Sequence, residues 1–236
     1  PAIEKNTGSA LSGVAVNDLL QSELAVLRFS SAPVPTIIPI NPPENSPVTI
    51  QVLTEKQIQR ALLAELQSTG TGDSVDIAMF YLSENDVVRE LIQAHRRGTR
   101  VRVLLDPNKE AFGYKKNGIP NRTVAARLIR AGIIVRWFDT HGEQGHSKMM
   151  HIHHGERDTL ILGSANFTRR NLENFNLETD VAIRGPANAV VLRDATTYFD
   201  RIWLKPVSAT YKKYSGDTLL RRFFGGLLEC TGLGTF

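Results

Sequence analysis

Apolar runs separated by turn residues define a regular series of elements from residue 48 onward. Their periodicity predicts strands over 48–53, 75–82, 100–106 and 133–139, separated by amphipathic helices over 54–66, 87–98 and 123–131. Thr54 with Gln57, and Ser83 with Asp86, have the spacing of residues that cap helix beginnings. This alternation predicts an α/β fold with a mixed, mostly parallel sheet flanked by helices on both faces.

The pattern changes after the fourth strand. Two strands, 146–154 and 159–165, are separated by a short turn over 155–158, which predicts a hairpin. A short helix near 170–175, a strand near 178–184 and a helix from about 187 to 204 complete the regular part. The chain after residue 205 has a less regular pattern.

A proline-rich stretch at 30–47 divides the chain. Because proline fixes φ and lacks an N–H donor, this stretch is predicted to be an extended linker. We therefore divide the chain into residues 1–29, the linker 30–47, a main unit 48–205 and a C-terminal extension 206–236.

Residues 8–29 align without a gap to residues 163–184 when the sequence is shifted by 155 positions. Glycine, serine and alanine coincide at the start, Glu23 coincides with Glu178, and Val26 with Val181. One interpretation is that residues 1–29 are the end of a preceding repeat, of which 48–205 is a complete copy. Coincidence is the alternative interpretation.

Composition narrows the class of protein. The 236 residues are 42% hydrophobic and 22% charged, which is typical of a globular chain. The single cysteine, Cys230, excludes an internal disulfide and a cluster of thiolates around zinc. No apolar run approaches the roughly 18 residues of a spanning helix. The net charge of +4 favours anionic partners without choosing among them.

The densest group of polar residues lies over 141–178. His146 and Lys148 are two apart on a predicted strand and so share a face, as Ser164 and Asn166 do. A hairpin register that pairs Lys148 with Ser164 would place all four on one surface, whereas a slip of one residue would separate them. This set suits a phosphodiester, because lysine and asparagine bind phosphate and histidine attacks phosphorus or moves a proton. Glu178 is expected to fix a histidine tautomer.

Three short motifs resemble a known family. H-S-K at 146–148, G-S-A-N at 163–166 and N-L-E at 176–178 are similar to the signature of the phospholipase D superfamily. The resemblance implies a pair of such motifs, a covalent phosphohistidine on one histidine, a second histidine that protonates the leaving alcohol, and no metal or other cofactor. It implies catalytic roles for His146, Lys148 and Glu178, and phosphate binding by Lys148, Ser164 and Asn166.

The chain departs from the family pattern in three ways, one of which is a slightly long gap between residue 153 and Gly163 that a longer hairpin turn would absorb. His153 stands where the family has an aspartate, a largely structural residue. The second histidine would fall at position −9, before Pro1, and Leu11 stands where Asn166 stands in the later motif. We therefore expect the second half-site to come from a missing N-terminal repeat or from a homodimer.

The five histidines over 141–154 raise the question of a metal site. Successive residues of a strand face opposite ways, so these histidines cannot all reach one ion, and no metal is expected. His151, His153 and His154 are instead interpreted as surface or subunit-contact residues.

Three functions remain open at this point. The first is hydrolysis or transfer at a phospholipid diester, with peripheral contact to a membrane; the second is a metal-independent nuclease; the third is a non-catalytic half-site module. Aromatic residues make up only 7% of the chain and do not alternate with its basic pairs, which favours a phospholipid over nucleic acid.

Overall fold

A computed structural model describes residues 15–31, 33, 46–107, 110–111, 114–115, 120–141, 143–204 and 208–210. Within these residues the strands are β1 Thr49–Thr54, β2 Ser74–Met79, β3 Arg100–Leu105, β4 Glu110–Ala111, β5 Tyr114–Lys115, β6 Ile134–Phe138, β7 Lys148–His154, β8 Arg157–Gly163, β9 Thr179–Pro186 and β10 Ser208–Thr210. The helices are α1 Ala15–Phe29, α2 Lys56–Gln67, α3 Asn85–Arg96, α4 Asn121–Arg130, α5 Arg169–Leu172 and α6 Val190–Leu204. The predicted series of elements is therefore present from residue 48 onward.

Eight of these strands form one sheet, in the order β1-β9-β8-β7-β2-β3-β6-β10. The pairs β2–β3 and β3–β6 are parallel. The remaining neighbours in the sheet are antiparallel. The predicted α/β class and mixed sheet are confirmed, but parallel pairing is confined to the three strands joined by helices. Hairpin-type connections among β7, β8 and β9 make the other half antiparallel, so the sheet is not mostly parallel.

Helices cover both faces of the sheet, as predicted. One face packs its apolar residues, such as Ile77, Val103 and Met150, against α2, α3 and α4. The opposite face packs against α6 through residues that include Phe199 and Trp203. Strands buried on both faces read as continuous apolar runs, and β2 is buried at every position. No helix of the described residues is both long and apolar enough to cross a membrane.

Neither of the two predicted helix caps forms as expected. Helix α2 begins after Glu55, and no side chain caps it, so the expected capping box of Thr54 and Gln57 is wrong. Helix α3 is capped by Glu84, whose carboxylate accepts a hydrogen bond from the Val87 N–H at 2.7 Å. Glu84 therefore takes the position predicted for Ser83, because its side chain reaches the third N–H of the helix.

The proposed repeat is not reflected in the described secondary structure. Residues 15–29 form helix α1, whereas the residues aligned with 24–29 form strand β9. Over residues 24–29 the alignment by sequence therefore does not correspond to a shared structure. Residues 1–14, most of the predicted linker and most of the predicted extension lie outside the described residues, so those domain boundaries stay predictions. Residues 208–210 of the extension form the edge strand β10 beside β6.

The β7–β8 hairpin has a shorter turn than expected. Gly155 adopts a φ of 58°, and the two-residue turn of Gly155 and Glu156 sets Arg157 opposite His154. Met149 then pairs with Leu162, which is one residue away from the register that would oppose Lys148 with Ser164. Of the two registers considered, the structure therefore has the one that is slipped by one residue. Since one position in a strand reverses the face, Ser164 needs a different partner from the one expected.

Candidate active site

The centre of the candidate site lies where β2 ends beside the start of β7. The Phe80 N–H donates to the Ser147 carbonyl at 2.8 Å, which extends the β2–β7 pairing by one bond beyond Met79 and Lys148. The rings of Phe80 and His146 meet edge to face with centroids 4.6 Å apart. The Lys148 ammonium lies 5.4 Å from the centroid of the same Phe80 ring. The Phe80 ring therefore supports both His146 and Lys148.

The side chains of His146 and Lys148 are in direct contact. Lys148 Nζ lies 3.2 Å from His146 Nε2 and 3.3 Å from the His146 carbonyl oxygen. An ammonium group can only donate, so a hydrogen bond across this contact has the lone pair of Nε2 as its acceptor. The nitrogen with nucleophilic character and the charge that would bind a phosphate oxygen are thus side by side.

Close packing fixes the chain immediately before His146. The Gly145 N–H donates to Asp106 Oδ2 at 2.7 Å, and a side chain at residue 145 would collide with the Phe138 ring. Ser147 is buried, and its hydroxyl lies 2.9 Å from the Tyr198 hydroxyl on α6. These contacts hold His146 between two anchored neighbours.

Asn166 is held against the end of β2. Its Oδ1 accepts a hydrogen bond from the Tyr81 N–H at 3.3 Å, and the next residue, Phe167, donates its N–H to the Tyr81 carbonyl at 3.0 Å. Tyr81 packs on Phe80 with ring centroids 4.1 Å apart. Asn166 is therefore joined to the His146 side of the site through two consecutive residues of one strand end. Because Oδ1 is used as an acceptor, the amide nitrogen is the group left to donate to a ligand.

Ser164 and Glu178 contact each other directly. The Ser164 hydroxyl donates to Glu178 Oε2 at 2.5 Å and accepts from the Thr179 N–H at 3.0 Å. The Asn171 amide donates to the other carboxylate oxygen of Glu178. Among the described residues no histidine contacts Glu178, so the expected Glu178–histidine bond is not formed within this chain. Ser164 supports Glu178 rather than standing opposite Lys148.

Asp180 is a buried carboxyl group that the sequence analysis did not single out. Its side chain is 1% exposed and accepts a hydrogen bond from the Ala165 N–H at 3.0 Å. Burial raises the pKa of Asp180 to about 7, with the Glu178 charge adding to the rise and the Lys148 charge opposing it. Asp180 therefore lies near enough to both Glu178 and Lys148 to respond to their charges. The available signal was an aspartate within the otherwise apolar strand TDVAI.

Gly163 is the first residue of G-S-A-N. A glycine is required there because strand β9 lies close to its Cα, and not because of its backbone angles. A Cβ at this position would collide with the Asp180 carboxyl group and the Thr179 carbonyl oxygen. The glycine therefore allows strand β9 to lie against the motif, and this contact brings Asp180 beneath Ser164 and Ala165.

Two further residues of the site were missed or only partly interpreted. Phe80 follows a buried strand at its carboxyl end, which is where ligand sites of α/β sheets form. Asn121 is the first residue of helix α4. It is fully buried, donates to the carbonyls of Phe80 at 2.6 Å and Asp106 at 2.8 Å, and accepts from the Leu82 N–H at 2.9 Å. Asn121 therefore joins the carboxyl ends of β2 and β3.

The other histidines do not join His146. His141 is exposed, and His154 contacts Asp73 and Ser68. His151 is fully buried and His153 is partly buried, on the face of the sheet that carries α6. The interpretation of His151 as a surface or contact residue is therefore wrong, because the sheet register places it within the layer between β7 and α6.

Comparison of the sequence with protein families gives a match to the family described as "Cardiolipin synthase, PLD-like domain" over residues 62–203. This range covers more than half of the chain and includes all three motifs. A search of curated proteins gave no significant match.

Comparison of the fold with solved structures gives many similar chains, among them the following three. The phospholipase D family member Nuc from Salmonella typhimurium has a TM-score of 0.53 at 20% identity, with 69% of this chain and 99% of Nuc covered. NucT from Helicobacter pylori has a TM-score of 0.55 at 16% identity, with 69% and 99% covered. Phosphatidylserine synthase from Haemophilus influenzae Rd KW20 has a TM-score of 0.54 at 9% identity, with 79% of this chain and 46% of the synthase covered. At these identities the likeness concerns the fold.

Proposed function

The chain belongs to the phospholipase D superfamily, and on this premise we propose that it hydrolyses or transfers a phosphodiester through a phosphohistidine on His146. Members of this superfamily act on phosphodiesters, so the chemical class follows from membership. The substrate, the covalent intermediate and the roles of single residues are the proposal. A phospholipid is the favoured substrate.

The contact between His146 and Lys148 is the observation that carries this proposal. With Nε2 holding a lone pair and the Lys148 ammonium 3.2 Å away, a phosphate oxygen bound by the ammonium would bring phosphorus to the nucleophilic nitrogen. The Asn166 amide nitrogen supplies a further donor to the same phosphate, since its oxygen is bound to Tyr81. Positive charge and N–H donors around the phosphate stabilise the charge of the transition state.

The proposed reaction then proceeds in two steps. Nε2 of His146 forms a bond to phosphorus while the bond from phosphorus to the leaving alcohol breaks, and the alkoxide takes a proton from a second histidine. That histidine next removes a proton from water, the water oxygen attacks phosphorus, and the P–N bond breaks. An alcohol in place of water gives transfer rather than hydrolysis.

The second histidine has to come from another half-site. Among the described residues none of the other histidines lies in the contacts around Phe80 and Lys148, and the one motif of this chain supplies His146 alone. A second copy of the chain, or a further repeat, would complete the pair. We propose that Glu178, held by Ser164 and Asn171, accepts a bond from a histidine only in this completed site.

The surface beside Glu178 favours a phospholipid over a nucleic acid. The loop between α5 and β9 exposes two apolar side chains, Phe175 at 59% and Leu177 at 79%. Arg169 stacks over the Phe175 ring at 5.7 Å, and Arg170 donates to Asn176 at 3.1 Å. Apolar side chains beside arginines suit the interface of an anionic membrane, where apolar groups enter the acyl boundary and cations meet headgroups.

Three substrates test the proposal. The assembled protein is incubated with vesicles of anionic phospholipid, with single-stranded DNA and with a small chromogenic phosphodiester. Release of headgroup or of a transferred product from the vesicles, faster than DNA cleavage, is the expected result. Preferential DNA cleavage would support the nuclease alternative, and no cleavage of any diester by the assembled protein would support a non-catalytic module and overturn the proposal.

A double variant and its control distinguish loss of membrane contact from loss of catalysis. Phe175→Ser with Leu177→Ser should slow vesicle turnover about tenfold while turnover of the soluble diester is unchanged, because only membrane contact is lost. Phe29→Ser is the matched control, since Phe29 is 94% exposed on α1. Equal loss on both substrates would show that the loop acts on the site itself and not on the membrane.

A further inference from the structure

A compact group of histidine and carboxylate side chains lies within the sheet, away from the candidate active site. His151 and His153 are two apart on β7 and share a face, with ring centroids 4.1 Å apart. Asp158 of β8 pairs directly with His153, and Asp76 of β2 pairs directly with His151. His151, Asp158 and Asp76 are each at most 3% exposed. The four side chains therefore meet on the α6 face of three neighbouring strands.

One carboxylate oxygen faces two imidazole nitrogens. Asp158 Oδ2 lies 2.9 Å from His153 Nδ1 and 3.1 Å from His151 Nε2. Ligand atoms of His151, His153 and Asp158 all lie within 4.8 Å of one another. Metal–ligand bonds of about 2.0 Å in a tetrahedral site separate neighbouring ligand atoms by roughly 3.3 Å. The three side chains are thus close to the spacing that a shared ion requires.

Several polar atoms of this group are buried without a hydrogen-bond partner. Within the described part of the chain, these atoms are both ring nitrogens of His151 and Oδ1 of Asp158. The 3.1 Å approach of His151 to Asp158 therefore lacks the direction of a hydrogen bond. A buried polar atom without a partner is costly and calls for an explanation such as an ion. Protonation of His153 would satisfy that ring but would leave His151 unsatisfied.

The charge balance of the group also favours a cation at Asp158. Arg102 binds Asp76 through two bonds of 2.6 Å and also contacts Asp200 at 2.9 Å. Its single positive charge is therefore shared by two carboxylates. Among the described contacts of Asp158 there is no lysine or arginine, so only the histidines face its charge.

Asp76 has the position of a carboxylate that accepts a hydrogen bond from the second ring nitrogen of a metal-bound histidine. Its Oδ2 lies 3.4 Å from Nε2 of His153, the ring nitrogen that faces away from Asp158. A histidine that binds metal through one nitrogen commonly donates the other N–H to a carboxylate, which fixes its tautomer. The arrangement of Asp158, His153 and Asp76 follows this order.

We propose that His151, His153 and Asp158 bind one Zn²⁺ ion, or a transition-metal ion of similar preference, that ties strand β7 to β8. Two imidazoles and a carboxylate are a ligand set that zinc accepts. The site is separate from the diester chemistry, because His151 is three residues from Lys148, about 10 Å along the strand. Histidine at 153, where the family has aspartate, supplies one of the ligands.

Zinc binding by the wild-type protein is the primary test. Protein stripped with a chelator is titrated with zinc chloride in a calorimeter and its thermal unfolding is followed with and without zinc. We expect one ion per chain and a rise of several degrees in the unfolding midpoint that EDTA reverses, since a ligand that binds only the folded state stabilises it. Absence of binding at a tenfold molar excess of zinc, or a midpoint that zinc does not raise, would overturn the proposal.

Cobalt and three variants assign the site. Cobalt bound in place of zinc should show the intense visible bands of a tetrahedral site in the wild type, and these bands should be lost in His153→Gln and Asp158→Asn. His154→Gln is the matched control, because His154 lies on the other face of the same strand and contacts Asp73. Bands that survive in both site variants, or that vanish only in the control, would contradict the assignment. If the variants fail to fold, the wild-type cobalt spectrum decides whether a tetrahedral site exists.

Discussion

The ammonium nitrogen of Lys148 lies 3.2 Å from Nε2 of His146, and both side chains rest against the ring of Phe80. In the proposed mechanism this relationship places the nucleophile directly beside the charge that binds the phosphate. It arises because the Phe80 N–H extends the β2–β7 pairing beyond the last residue of β2.

Replacing His146 with asparagine should abolish diester cleavage. The variant retains a polar side chain but loses the nitrogen that attacks phosphorus, so the rate should fall by several powers of ten. Steady-state kinetics on the chromogenic diester measure the rate, and thermal unfolding verifies the fold. A folded variant with a rate near that of the wild type would contradict the role of His146.

Replacing Asn166 with aspartate separates its structural contact from phosphate binding. Aspartate keeps an oxygen for the Tyr81 N–H but replaces the amide N–H groups with a negative charge, so kcat/KM should fall by about 100-fold or more while the unfolding midpoint changes little. Asn174→Asp is the matched control, since Asn174 Oδ1 also accepts from a backbone N–H, that of Lys56. An equal loss in both variants would argue against a specific role for Asn166.

Asp180 should make the stability of the fold depend on pH. Its pKa is raised by burial to about 7 from an ordinary value of 3.8, so the folded chain holds this proton where the unfolded chain has lost it. Stability should therefore fall as the pH rises from about 4 to about 7, by a few kcal/mol in total. Asp180→Asn keeps an acceptor for the Ala165 N–H and should remove this slope.

Denaturant unfolding at a series of pH values measures the Asp180 contribution. The variant should be more stable than the wild type at about pH 8, where the wild type carries a buried charge. Glu156→Gln, at an exposed turn, is a control that should leave the slope unchanged. Parallel pH curves for the wild type and Asp180→Asn would show that Asp180 does not titrate in this range.

Catalysis should depend on a second copy of His146 or on a further half-site. Light scattering combined with activity measured on dilution should show activity only in the assembled form, because the leaving alcohol needs a second histidine. Coexpression of the wild type with an excess of His146→Asn should suppress activity beyond simple dilution. Full turnover by a strict monomer would refute the two-half-site hypothesis and make His141 the first candidate for the general acid.

Removal of metal by a chelator should lower the stability of the fold without slowing diester cleavage. With EDTA present and the temperature well below unfolding, the rate of diester cleavage should persist, because no group of the proposed mechanism binds a metal. The unfolding midpoint should fall under the same conditions. A loss of cleavage that zinc or magnesium restores, without any change in the fold, would instead indicate a metal in the chemical step.

The pattern of residues along the chain was sufficient to predict the helices and strands and to identify the motif residues. Strands β1, β2, β3 and β6 and the helices between them were predicted within a few residues, because apolar periodicity reports which face of each element is buried. The short motifs also identified the family, since His146, Lys148 and Asn166 carry the resemblance at their own positions. Cap residues were harder to predict, because Ser83 and Glu84 are neighbours and both can accept a hydrogen bond from the first turn of a helix. In the structure Glu84 is the cap.

Tertiary structure decided how those residues meet. A two-residue turn at Gly155 shifted the β7–β8 register by one position, which sent Ser164 to Glu178 and left Lys148 beside His146 and Phe80. The same register buried Asp158 opposite His153. Contacts between residues distant in sequence depend on strand order and turn geometry. The periodicity of a single strand predicts neither of these. The sequence by itself therefore determined the class of fold and the chemistry available, whereas the sheet determined which side chains share a site.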